Sequence, residues 1–174
     1  MNVHRTETVA PTDDDADVLA LLRSAFQHAR AGEAAQLAAL VDAGVPVDLQ
    51  NEKGDTLLML SAYHGHGEAV RVLIARGASV DRPNDRQQTP LAGAAFKGDG
   101  AMVTLLLDAG AAVDGHGGDE RTALMFAAMF DHLEVIEMLL ARGAAKESAD
   151  ASGVTALSLA RSMGAQRAAA RLST

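Results

Sequence analysis

One spacing constrains this chain more than any other property it has. Thr56, Thr89, Thr122 and Thr155 stand 33 residues apart each time, and two residues after each comes a leucine: Leu58, Leu91, Leu124 and Leu157. Gly44, Gly77, Gly110 and Gly143 keep the same 33-residue interval. Three columns in one register, without slippage, mean internal repetition. A period of this length calls for a stack of small units, each burying its apolar side against the next. Four full units and a shorter closing one fit within the 174 residues.

Each unit reads as two helices and a turn. In Thr89-Pro90-Leu91 the threonine hydroxyl suits an N-cap and the proline suits the first helical position. The helix it starts is expected to end near Gly98, which aligns with Gly65 and Gly32. A second helix follows, apolar at helical spacing through Met102, Val103, Leu105, Leu106 and Leu107. It stops at Asp108-Ala109-Gly110, where a glycine can turn left-handed. The matching helices carry Val70, Val72, Leu73 and Ile74, and Val135, Ile136, Met138, Leu139 and Leu140. Each terminal glycine stands 12 positions before the next threonine, and the stretch between is rich in Asp, Asn, Gly and Pro, as in Val80-Asp81-Arg82-Pro83-Asn84-Asp85. That is turn or hairpin chemistry. The fold class expected is all-α, a solenoid of about five helix-turn-helix units with projecting hairpin-like turns.

Composition narrows the function. Hydrophobic residues make up 48% and aromatics only 3%, which fits thin, closely packed helices rather than a sandwich or barrel. The net charge is −8 and no basic run is visible, so no nucleic acid is expected as a partner. The absence of cysteine removes disulfides, thiolate metal sites and a cysteine nucleophile. No stretch is long and apolar enough for a membrane span, and Met1 to Asp17 lacks the apolar core of a signal peptide. A cytoplasmic protein with no membrane partner is the expectation. No cofactor motif is present: there is no nucleophile elbow, phosphate loop or dinucleotide fingerprint. His116-Gly117-Gly118-Asp119 is glycine-rich but lies in an inter-unit turn with no strand before it. His64-Gly65-His66 flanks a helix-ending glycine, so its two rings are expected to diverge, and neither they nor other histidines reach a recognised ligand spacing.

With these residues in place the chain resembles the ankyrin repeat family. The second unit carries the pattern in Gly54-Asp55-Thr56-Leu57-Leu58, Ala62-Tyr63-His64-Gly65-His66-Gly67-Glu68, Val72-Leu73-Ile74 and Gly77-Ala78. The fourth carries it in Thr122-Ala123-Leu124, Ala127-Ala128, His132-Leu133-Glu134-Val135-Ile136 and Leu139-Leu140-Ala141-Arg142-Gly143-Ala144. The resemblance covers about residues 18 to 172. The family's histidine after the Thr-Pro-Leu start is replaced by Met59, Ala92, Met125 and Ser158, so its bond to the turn is expected to be missing in every unit. The turn glycine survives as Gly54 and Gly153 but becomes Gln87 and Glu120, so the third and fourth turns are expected to be less regular. Residues 1–17 are expected to form an acidic, flexible lead-in and 18–174 the repeat domain. Within it, 18–50 and 150–174 are capping units, and 51–83, 84–116 and 117–149 are internal ones. High Ala, Gly and Arg usage fits a bacterial source.

The resemblance implies a non-enzymatic module that binds a protein partner through its concave face and turn tips. Carried onto this sequence, the concave columns are Tyr63 and His64, Phe96 and Lys97, Met129 and Phe130, and Ser162 and Met163. Three of the five aromatics fall there, the composition of an interface hot spot. The other reading of those rings is packing between neighbouring units. The turn tips add Lys53 and Asp55, Arg86 and Gln88, and Asp119 and Arg121, whose mixed charge suits selective recognition and equally suits a solvated turn. The acids Asp48, Asp81, Asp114 and Glu147 are expected to bond within their own turns, the alternative being a ladder facing a basic partner. A monomer is expected. Two other functions stay open: self-association through the aromatic strip, and an enzyme whose site carries no recognised motif.

Overall fold

Each repeat threonine begins a helix by the same bond. The hydroxyls of Thr56, Thr89, Thr122 and Thr155 accept the backbone N–H three residues on, from Met59, Ala92, Met125 and Ser158. A computed structural model describes residues 13–174 of the chain, with side chains from residue 16. Its helices come in pairs: α1 (Asp13–Ala31) with α2 (Ala34–Asp42), α3 (Leu57–Tyr63) with α4 (Gly67–Ala75), α5 (Pro90–Lys97) with α6 (Gly100–Asp108), α7 (Ala123–Met129) with α8 (Leu133–Ala141), and α9 (Ala156–Ser162) with α10 (Gln166–Leu172). The described residues thus form an all-α solenoid of five units, with isolated hairpin bridges Gln50–Thr56 and Ala149–Thr155 at two fingers and no named strand.

Burial follows the columns. Leu58, Leu91 and Leu124 are essentially inaccessible, whereas Leu157, in the fifth unit, is only half-buried. Met59, Ala92 and Met125, standing where the family has histidine, are buried core residues. Ser158 differs: its Oγ accepts the Thr155 N–H at 2.8 Å and completes a capping box, so the last unit does hold a side-chain bond at this position. From the second unit onward, first helices stack on one another more intimately than second helices do, and α4 and α6 barely touch.

Units are keyed to each other by a few polar contacts. Asp48, Asp81 and Asp114 do not bond within their own turns. Each reaches the next unit, where it accepts the backbone N–H of Ser79, Ala112 or Ala145 at 2.9 to 3.1 Å. His66 Nε2 lies 2.8 Å from the Arg30 carbonyl and His132 Nε2 lies 3.0 Å from that of Phe96, so each ring caps the first helix of the preceding unit. On the outer face Arg76 pairs with Asp42 at 2.9 Å and Arg142 with Asp108 at 2.7 Å. The columns that supply those pairs read Ala75 and Ala109 between the second and third units.

The first unit departs from the others. Helix α1 has 19 residues against 7 or 8 in the other first helices, and begins at Asp13. The last five residues of the expected 1–17 lead-in are therefore helical, and residues 1–12 lie outside the described residues.

Candidate functional site

The first helices and the fingers line one continuous face, and the long helix α1 closes one end of it. Leu19, Leu22, Arg23 and Phe26 of α1 face Tyr63 and Phe96 across an open groove of about 850 Å³ whose rim is the fingers of the second and third units. The sequence reading missed α1 as a wall. The signal was present: Leu19, Leu22 and Phe26 keep helical spacing at the head of the capping unit.

Of the expected site residues, Lys53, Asp55, Tyr63, His64, Arg86, Gln88 and Phe96 line this groove. Lys97, Asp119, Arg121, Met129 and Phe130 fall outside it, further along the face. Tyr63 is 42% exposed and Phe130 41%. Phe96 and Met129 are half-buried against the core, so they belong partly to packing. The Phe96 and Phe130 rings meet edge-on with centroids 4.7 Å apart, and Lys97 Nζ sits 5.0 Å from the Tyr63 centroid, within cation–π range. These two contacts link three units into one surface strip.

The turn-tip residues divide by employment. Asp55 is tied down: its Oδ1 accepts from Asn84 Nδ2 at 2.8 Å and its Oδ2 from Asn51 Nδ2 at 3.3 Å. Asp119 Oδ1 accepts the Arg121 N–H at 3.2 Å, and the Arg121 guanidinium reaches Asp150 at 3.4 Å. The backbone N–H of Val154, then that of Ser152, then Arg121 hold the Asp150 carboxyl below the usual carboxylate range against its desolvation. Gln88 is half-buried, its N–H bonded to Asn84. Lys53 and Arg86 are exposed and have no ion pair among the described residues.

Turn regularity is set three positions earlier than the glycine column suggested. Asn84 Oδ1 accepts from Arg86 and Gln88, as Asn51 Oδ1 does from Lys53 and Asp55. The third turn is therefore regular although Gln87 has φ 63°. In the fourth turn that acceptor is replaced by Gly117, and Glu120 carries φ 59° without it.

His64 is exposed at the groove edge. Partial burial, then the charges of His66, Arg30 and Lys97, push its imidazole below its ordinary value, so the ring favours the neutral form. His66 is engaged with the Arg30 carbonyl, and among the described residues no group of three or more His, Asp or Glu is close enough to hold a metal ion. Among those residues no helix is long and apolar enough to cross a membrane.

Comparison with known proteins is consistent with this geometry. Residues 25–116 and 93–173 match the family model described as ankyrin repeats in three copies. A Pseudomonas aeruginosa protein named as an ankyrin repeat protein is 50% identical over 58 residues, which is 33% of this chain and 34% of that protein. The chain therefore spans about a third of the length of that curated relative.

Proposed function

This chain belongs to the ankyrin repeat family, whose members generally mediate protein–protein interactions, and we propose that it is a non-enzymatic module holding one protein partner along its concave face. The partner would be scaffolded, regulated or inhibited by that contact. The observation that carries this reading is the strip that runs from exposed Tyr63, beside Lys97 at the wall of an open groove, through Phe96 to exposed Phe130. Large apolar rings with a polar rim are the usual anchors of a protein interface, and an array of packed helices presents them with little rearrangement.

The test is affinity capture from the source cell, comparing the wild-type chain with the Tyr63→Ala/Phe130→Ala double variant and with Glu134→Ala on the outer face. Phe96 is kept, because its ring is half-buried under Phe130. We expect a protein retained by wild type and by Glu134→Ala and lost by the double variant, with circular dichroism unchanged. Equal retention by all three chains removes the concave strip as the binding surface. Mass that grows with concentration, and that falls in the double variant, replaces the partner with a second copy.

A further inference from the structure

We propose that the groove between α1 and the second and third fingers selects acidic protein segments that carry large apolar side chains. This rests on the binding role above and adds the chemistry of what is bound.

Charge is unevenly placed over this molecule. The chain as a whole is acidic, at −8. Apart from Arg167, the arginines along the second helices are matched: Arg71 with Glu68, Arg76 with Asp42, Arg142 with Asp108 and Arg171 with Glu137. In the groove they are not. Arg23, Arg30, Lys53 and Arg86 all line it, and none has an ion pair among the described residues. Among the described residues only two carboxylates line the groove with them, Glu52 and Asp55, and Asp55 is bound by two amides. The groove therefore runs against the sign of the molecule that contains it.

Screening decides which charge a docking segment feels. At physiological salt the Debye length is about 8 Å, so carboxylates on the far face are largely screened while cations lining the groove act at contact range. Between those cations lie Leu19, Leu22, Phe26, Tyr63 and Phe96, which offer apolar surface and no acidic group. An acidic segment with aromatic or aliphatic side chains satisfies both features at once. Single-stranded nucleic acid would meet the cations and the three rings, but it wants the cations along one continuous track, and Leu19, Leu22, Leu49 and Leu60 stand among these.

A phage-displayed library of random linear peptides, panned against the intact chain, tests this. Recovered peptides should be more acidic than the input and enriched in Leu, Phe and Trp. Recovery should fall about tenfold against Arg23→Glu/Arg86→Glu and less against Arg23→Gln/Arg86→Gln, with circular dichroism unchanged in both. Neutral or basic recovered peptides, no enrichment, equal recovery by the charge-reversed chain, or full displacement by oligo-dT would each overturn the proposal. The binding role is judged separately. If the captured protein still depends on Tyr63 and Phe130 while the library yields no acidic preference, the interface stands and this specificity falls.

Discussion

At the scale of single residues, Asp131 shows how neighbouring units negotiate a conformation. Gly32, Gly65, Gly98 and Gly164 follow the first helices of their units with positive φ, and Asp131 takes that position in the fourth unit with φ 57°. A β-carbon at Gly98 would lie 2.7 Å from the His132 ring, so a side chain has no place there. The residue that corresponds to His132 in the fifth unit is Ala165, which leaves room. Asp131 uses it: its Oδ1 accepts the Ala168 N–H of α10 at 2.7 Å, and Ala165 supplies no side-chain cap of its own. Left-handed backbone at a non-glycine residue costs about 1–3 kcal/mol, while a side-chain cap contributes about 1 kcal/mol. Asp131→Ala keeps the strain and loses the cap, so urea denaturation should show a loss of about 1–2 kcal/mol. Asp131→Gly loses the same cap but relieves the strain and should cost less. A glycine variant less stable than the alanine one would mean that strain is not at issue here.

At the scale of elements, the helices were legible because their signals are local and repeated. Thr56, Thr89, Thr122 and Thr155 cap where their hydroxyls predict, and α5 ends at the left-handed Gly98. The fingers were less legible, since what holds them lies across units. Nothing in Asp48 or Asp81 alone says that its acceptor faces the following unit, and nothing in Asp55 says that Asn84 will bind it. The α1 wall escaped because the first unit has no threonine to align it. The closing finger offers a pH test. Folding depresses the Asp150 value, so its charge contributes stability above the ordinary carboxylate value near 3.8, and that contribution is lost as pH falls through the depressed folded value. Asp150→Asn keeps the turn acceptor, as Asn51 and Asn84 do, and removes only the charge. Wild type should be the more stable chain at neutral pH, and the gap should close in acid. A gap independent of pH would place the effect in the amide rather than the charge.

At the scale of the whole molecule, the contacts between units are not uniform. The first and second units, and the third and fourth, are joined by a histidine cap and an outer arginine–aspartate pair at identical offsets. Between the second and third units the corresponding outer columns are alanines, and there α4 and α6 barely meet. Ala75→Asp with Ala109→Arg copies the neighbouring pair into this gap. It should raise the urea midpoint by an amount equivalent to about 0.2–1 kcal/mol at low salt and lose the gain in high salt. No gain at low salt would mean the backbones there are too far apart for the pair to form. The groove is rimmed by the fingers of those same two units. Its width is then governed by the loosest joint of the stack, so a bound segment sets the local curvature of the solenoid as much as the solenoid selects the segment.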